Sequence, residues 1–268
     1  MAINNVSSGS NSFFLDQIQR KQDDNLEKLA SGKKVNKAAD AAAAQQIIER
    51  LSSESNAYQQ SIRNAYDGIS LSQVADGALQ GINDDAQRIR ELTQQAGSGI
   101  LTDADRKAIQ SEISGLQQNI QDTIKNTEFN GKSLFTEDSE FSFQVGSGTG
   151  QSRSVNTTDL SSQLNDVFNI DVTVAGGVDS ALQTLDDAIG TIGEQRGDLG
   201  ATQNAFQSSI NNLSTTNENV QAARSRLQDT DFAQATADKA ANDILSQSTS
   251  AVAVQARQSQ QSVLNLLS

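Results

Sequence analysis

Two of the side chains that most often carry enzyme and metal chemistry are missing from this sequence. Its 268 residues contain no His and no Cys. The commonest general base and metal ligand is therefore absent, and so are thiolate metal sites and disulfides. The cellular compartment cannot be read from redox chemistry. What remains is 33 Asp and Glu against 20 Lys and Arg, a formal charge of −13. Carboxylates can act as acids and bases when a cleft holds them at perturbed pKa, but no pattern here builds such a cleft. Nine acids (Glu137, Asp138, Glu140, Asp159, Asp166, Asp171, Asp179, Asp186, Asp187) face Arg153 alone between Thr136 and Asp187, which reads as a solvated acidic surface. The overall charge argues against a nucleic-acid partner. The expectation is a chain that is not an enzyme and takes no cofactor or metal.

Three short motifs suggest chemistry and are weaker than they look. Gly146-Ser147-Gly148-Thr149-Gly150 lacks the Lys-Ser/Thr ending and the immediate helix of a phosphate loop, so it reads as a hairpin turn. Arg196-Gly197-Asp198 spells an adhesion tripeptide but falls inside a heptad helix. Asn156-Thr157-Thr158 fits an N-glycosylation acceptor, although O-linked glycans on Ser/Thr between Thr136 and Ser180 are the better reading. No apolar run approaches the roughly eighteen residues of a membrane span, and no basic-then-apolar leader opens the chain. Membrane insertion is not expected, nor is export by a cleaved secretory signal.

The strong signal is periodic. From Leu51 the residues Tyr58, Ile62, Ala65, Ile69, Leu79, Ile82, Ala86, Ile89 and Ala96 recur at steps of three and four, with Ser55, Ser72, Ala75 and Thr93 at softer positions. That is a heptad, which keeps one stripe facing a partner helix. A helix over about 44–96 would be a rod of roughly 75–80 Å that cannot bury its own stripe. The partner is found after Val178: Leu182, Leu185, Ile189, Ile192, Leu199, Phe206, Ile210, Leu213, Val220 and Leu227 keep the same rhythm. Beside that seam Gly190, Gly193, Gly197 and Gly200 follow it one position on, explained either by close helix packing or by a face that adjusts against a neighbouring subunit. Pro is absent, so nothing forces a kink. Hydrophobic residues are 35% and aromatics 4%, which suits striped helices better than a thick core.

The remaining elements complete a palindrome. Leu15, Ile18, Gln22, Leu26 and Leu29 predict a first helix over about 11–30, broken by Ser31-Gly32, and the basic residues Lys33, Lys34 and Lys37 lead into the rod. Gly97-Ser98-Gly99 ends the rod; Thr102 is a predicted N-cap, followed by Ile109, Ile113, Leu116, Ile120 and Ile124 as far as Asn130-Gly131. The short connection makes this helix an antiparallel neighbour of the rod. Phe141, Phe143 and Val145 predict a strand, with a second near Ser154-Val155 and a third around Ile170–Val174. A last helix carries Ala237, Ala241, Ile244, Leu245, Ala251, Val252, Val263, Leu264 and Leu267. The predicted fold is mainly α: an elongated antiparallel helical bundle or coiled coil with a small β-hairpin region mid-chain. Its segments are 1–43 and 229–268 (terminal helices), 44–135 and 178–228 (rods) and 136–177 (outer). Both termini are expected at one end, with the acidic middle away from them.

In this order the sequence resembles bacterial flagellins over almost its whole length. The resemblance rests on LASGKKVNKAADAA (Leu29–Ala42), RNAYDGISLSQVADGALQGINDDAQRIREL (Arg63–Leu92), FNGKSLF (Phe129–Phe135), GDLGATQNAFQSSINNL (Gly197–Leu213), AARSRLQDTDFA (Ala222–Ala233) and SVLNLLS (Ser262–Ser268). It is the short form, with some forty residues where many flagellins carry large outer domains. The resemblance implies a secreted, extracellular subunit that polymerises with itself into the helical filament of the bacterial flagellum for swimming motility. It further implies passage through the flagellum-specific export channel and partners in an export chaperone, filament cap and junction proteins. It implies self-assembly through Leu15, Ile18, Leu26, Leu29, Ile244, Leu245, Val252, Val263, Leu264 and Leu267. A host Toll-like receptor is implied at Gln87, Arg88, Arg90, Glu91, Leu92 and Glu112, residues that otherwise read as an exposed charged helix face. The alternatives are a hook–filament junction protein and a coiled-coil scaffold unrelated to motility.

Overall fold

The computed structural model describes the backbone at residues 6–37, 39–174 and 176–267, and side chains there except at 6–12, 260 and 263–267. Among the described residues six helices and two small hairpins follow one another: α1 (Val6–Ser31), α2 (Ala42–Ala96), α3 (Asp103–Asn126), β1 (Glu128–Phe129), β2 (Lys132–Ser133), β3 (Ser139–Gln144), β4 (Ser152–Thr157), α4 (Leu160–Gln163), a 3₁₀ turn (Val167–Asn169), α5 (Gly177–Gln228) and α6 (Phe232–Leu267). The predicted rods are thus single helices of 55 and 52 residues. The first helix begins earlier than the spacing suggested, because the Asn/Ser-rich stretch from Val6 is already helical. No helix among the described residues is long and apolar enough to cross a membrane. The chain divides into two compact units, Met1–Ser55 with Glu218–Ser268, and Asn56–Asn217.

The Asn56–Asn217 unit holds nearly all the core. Ala65, Leu79, Ile82, Ala86, Ile89 and Ala96 of α2 are buried, as are Leu185, Ile192, Leu199, Phe206, Ile210 and Leu213 of α5 and Ile113, Ile120 and Ile124 of α3. Ile62 and Ile69 are partly buried against that core, and Ile189 is intermediate. The two long helices run antiparallel: Gly68 lies against Phe206, Asp76 accepts from Arg196 and Asp186 from Arg90, so numbers rise on one as they fall on the other. Phe206 is the meeting point. Its ring sits where a Cβ on Gly68 would be, 2.6 Å from Cζ, and meets Phe143 of β3 edge-on at 5.8 Å.

The cap at α3 is as the sequence foretold, with more chemistry than expected. Thr102 Oγ1 accepts from the backbone N–H of Asp105, while the Asp105 carboxylate accepts from the Thr102 hydroxyl (2.6 Å) and from its backbone N–H (2.9 Å). These bonds, the hydroxyl's first, hold the Asp105 carboxyl below its ordinary range. A group with a depressed folded-state pKa stabilises above its unfolded value and loses that contribution as pH falls through the folded one. Thr102→Ala is expected to cost about 1 kcal/mol near neutral pH. The gap between variant and parent should narrow below pH 4 as the carboxyl protonates; denaturant melts at pH 7 and pH 3 check both.

Two expectations about the middle segment change, and the predicted strand pair forms. Residues Phe129 to Lys132 form a two-residue hairpin, with Asn130 at φ 51° and Gly131 at 74°, where the sequence reading saw only a helix stop. Both central residues at positive φ give the primed turn that Asn-Gly favours. Strands β3 and β4 pair antiparallel from Ser139↔Thr157 to Gln144↔Ser152. No strand forms at Ile170–Val174. Its backbone groups bond to glutamines of α3 instead: Gln110 accepts from the Val172 N–H (2.9 Å) and donates to the Ile170 carbonyl (2.9 Å), and Gln117 donates to the Val167 carbonyl (2.7 Å). With those groups satisfied and Ile170 and Val172 buried, a strand partner is not needed.

The other unit is thin. Near the α1–α2 turn, the backbones of Lys33 and Asp229 form an isolated antiparallel β-bridge, in which the Lys34 N–H donates to the Gln228 carbonyl and the Thr230 N–H to the Gly32 carbonyl. Gly32 takes φ 68°, a left-handed turn that ends α1 and brings it beside the ring of Phe232. Further along, Gln22 of α1 donates to the Asp243 carboxylate of α6 at 3.0 Å, so these terminal helices also pair antiparallel.

Candidate assembly and recognition surfaces

The terminal unit has too little core for the apolar side chains it carries. Among the described residues of Met1–Ser55 and Glu218–Ser268, only Val35, Ile48 and Ala235 are buried hydrophobics. Along α6 the exposure is 65% at Ile244, 52% at Leu245, 59% at Val252 and 63% at Val254. On α1 Phe13, Phe14 and Leu26 are likewise exposed, while Leu15, Ile18 and Leu29 are half-buried. Val263, Leu264 and Leu267 fall outside the residues whose side chains are described. Each fully buried side chain of this kind is worth about 1.5–3 kcal/mol. Two paired helices with their large residues left in water are an interface awaiting partners.

The residues expected in the rod seam differ in depth. Leu79, Ile82, Ile89, Leu185, Ile192, Leu199, Phe206, Ile210 and Leu213 are buried, and Leu51, Ile62, Ile69, Ile189 and Val220 are intermediate. The sequence reading missed Leu71 on α2, buried to 1%. It also missed Gln195, a buried polar residue of α5 that accepts from the Thr158 hydroxyl and donates to the Asn156 carbonyl, tying β4 to the rod. No hydrophobic pattern marks such a tie; only a Gln in a seam position gives a hint.

The six residues expected as one recognition patch do not share a surface. Arg88 of α2 donates to Glu91 (3.0 Å) and across to Glu112 of α3 (2.9 Å). Glu112 first and Glu91 second raise the Arg88 pKa. Gln87 is exposed beside them. Arg90, two residues and about 200° further round the helix, reaches Asp186 of α5 at 2.7 Å. Leu92 is 3% exposed and belongs to the core, so it is withdrawn from the patch. Spacing along α2 puts 91 and 92 both on the Arg88 side, three and four residues on, and only 90 elsewhere; Leu92 leaves the patch because it packs inward. These pairs are exposed and solvent-screened, so they add little to stability.

The glycine rhythm on α5 also resolves. A Cβ on Gly190, Gly193, Gly197 or Gly200 would meet nothing within 4 Å, so close packing inside the chain does not explain them. Replacing all four by Ala is expected to raise monomer stability, since each Gly costs about 1 kcal/mol relative to Ala in a helix. Thermal melts of monomer and critical concentrations of assembly check it; unchanged assembly would remove the subunit-facing explanation as well. The Gly146–Gly150 loop is a turn: Gln151 Oε1 accepts from the Gly148 N–H at 3.0 Å, and Gln144 donates to the carbonyls of Gly146 and Gly148. The Gly148 N–H is thus already spoken for, unlike the amides of a phosphate cradle. Arg196 of the adhesion-like tripeptide donates to Asp76 at 2.8 Å within the helical seam.

Comparison with known proteins meets the geometry at both ends of the chain. Residues 3–140 match the bacterial flagellin N-terminal helical region and residues 182–267 the bacterial flagellin C-terminal helical region. The flagellin of Bacillus subtilis (strain 168) is 37% identical, with 91% of each chain covered. The crystal structure of Bacillus cereus flagellin aligns at a TM-score of 0.51 and 26% identity over 56% of this chain and 88% of that one. A putative flagellar hook-associated protein from Vibrio parahaemolyticus aligns at 0.62 over 71% of this chain and all of that one, but at 15% identity this likeness concerns the fold alone.

Proposed function

This chain belongs to the bacterial flagellin family and is a structural subunit that polymerises into the flagellar filament, and we propose that the apolar faces of α1 and α6 drive that polymerisation. The observation that carries the reading is the terminal unit, where Ile244, Leu245, Val252 and Leu26 remain largely exposed in the single chain. Val263, Leu264 and Leu267 extend the same stripe in sequence. Stacked subunits bury these faces against one another through heterologous contacts, which grow into a helix when each step's rotation and rise do not close on the starting subunit. In this reading 1–43 and 229–268 form the filament core, 44–135 and 178–228 the rod around it, and 136–177 the outer surface.

The rest follows from that premise. The subunit is exported to the cell exterior as an unfolded chain. The absence of Cys and Pro supports this route, since neither disulfides nor slow prolyl isomers delay refolding at the tip. A chaperone covers α6 before export, and cap and junction proteins meet the same terminal faces at the filament ends. The Arg88–Glu91–Glu112 face, with Gln87, is the surface offered to a host Toll-like receptor. We assign the chain no catalytic role, because its family is structural.

The test is electron microscopy of seeded monomer beside a chain ending before Asn242. Long filaments from the full chain and none from the shortened one support the proposal. A small oligomer of fixed size from the full chain would instead move the junction and scaffold readings ahead.

A further inference from the structure

We propose that the cleft between the β3–β4 hairpin, α2 and α5 binds an acidic saccharide, with Arg153 taking its carboxylate. The cleft measures about 400 Å³ and lies wholly within the Asn56–Asn217 unit. That volume falls within the range of small-ligand sites. Its walls carry Tyr58 from α2, Arg153 from β4, and Ser208, Ser209, Asn212 and Thr216 from α5. None of its lining residues is Asp or Glu. In a chain of charge −13, whose 136–187 stretch holds nine acids and one base, that base stands here in a cleft whose walls carry no carboxylate.

The details favour a polyhydroxylated acid over a bare anion. Arg153 donates through Nε to Ser209 Oγ at 3.1 Å. That bond fixes the plane of the guanidinium and leaves the terminal nitrogens for the paired hydrogen bonds a carboxylate accepts. Ser209 in turn donates to the Ala205 carbonyl at 2.9 Å, so the hydroxyl that orients Arg153 is itself held by the helix. Around the charge stand a phenol, hydroxyls and a carboxamide, groups that exchange hydrogen bonds with sugar hydroxyls. Val145 and Leu213 add apolar surface, with Tyr58, for the ring carbons of a sugar. At the hairpin end of the cleft Gly146 makes room for Gln151: a Cβ there would lie 2.0 Å from the Gln151 carboxamide oxygen.

The experiment is an amide-shift titration of the full-length monomer with sodium glucuronate, beside glucose and sodium acetate. Saturating shifts at Tyr58, Arg153 and the 208–216 stretch with glucuronate, at least tenfold weaker with glucose and with acetate, are the expected result. Arg153→Gln should weaken glucuronate at least tenfold with the melting temperature unchanged. Asn212→Ala, on the α5 wall, should weaken it without touching the charge. Absence of saturation, equal binding of glucose, or an Arg153→Gln variant that binds as before would overturn the proposal. Acetate binding as tightly as glucuronate would overturn the saccharide too, and would point to an acidic side chain of another copy as the natural occupant.

Discussion

A chain carrying Ile244→Ser, Leu245→Ser and Val252→Ser is expected to stay monomeric under seeding conditions that turn the parent into long filaments. The three side chains are 65%, 52% and 59% exposed in the single chain, so truncating them removes little that holds the monomer together. In an assembled core each would be buried, at about 1.5–3 kcal/mol apiece. Losing all three removes roughly 5–9 kcal/mol per subunit added, and each 1.4 kcal/mol is a factor of ten in concentration. The critical concentration should therefore rise at least about a thousandfold, beyond practical protein concentrations. Lower helix propensity of Ser is a smaller effect, a few tenths of a kcal/mol per residue. Sedimentation after seeding measures the assembly, and a thermal melt of the Asn56–Asn217 unit, which contains none of the three, should not move. A parent-like critical concentration would remove α6 from the assembly interface.

The second large effect lies at the opposite kind of site, a core position. Phe206→Ala is expected to destabilise the Asn56–Asn217 unit by about 3–5 kcal/mol. Phe206 is fully buried, faces Gly68 across the helix pair and meets Phe143 at 5.8 Å and 85°. Its loss leaves a cavity where three elements join, and for a unit of this size the melting temperature should fall by roughly 10 °C. The neighbouring glycine supplies an internal check. Gly68→Ala puts a methyl 2.6 Å from Phe206 Cζ, so it should destabilise even though Ala is the better helix former. In the Phe206→Ala background the ring is gone and the same methyl occupies vacated space, so Gly68→Ala should there become neutral or stabilising. A change of sign across this double-mutant cycle, read by denaturant melts, is what the packing requires. Additive effects would mean that the two residues do not share the space.

The helices were legible because burial on a long helix leaves a periodic record. Leu79, Ile82, Ile89, Leu185, Ile192 and Leu199 could be placed in a seam from spacing alone, and all six are buried. Thr102 was legible as a cap because capping needs a side-chain oxygen at one position before an acidic first turn. The middle of the chain was harder, since its backbone is satisfied by side chains rather than by a ladder. Gln110 and Gln117 look like surface residues in the sequence and Gln195 only like a misplaced seam residue, yet each holds a backbone carbonyl of a distant segment. A polar residue that ties a loop leaves no periodic trace, and for that reason the Ile170–Val174 segment reads as a strand until its partners are seen.

By itself, then, the sequence determined the helical class, the two long antiparallel partners, the unsatisfied terminal stripes and the family to which these belong. All of these depend on residue type and on spacing along one element, which the chain carries in one dimension. Only the tertiary structure decided which neighbours share a surface. It separated Arg88 from Arg90 and sank Leu92 into the core. It left the α5 glycines facing open space. It also gathered Tyr58, Arg153 and Asn212 from three distant stretches into one cleft. Those outcomes turn on the rotation of each helix and on cross-chain packing, where a shift of one residue moves a side chain by about 100° and changes its partner.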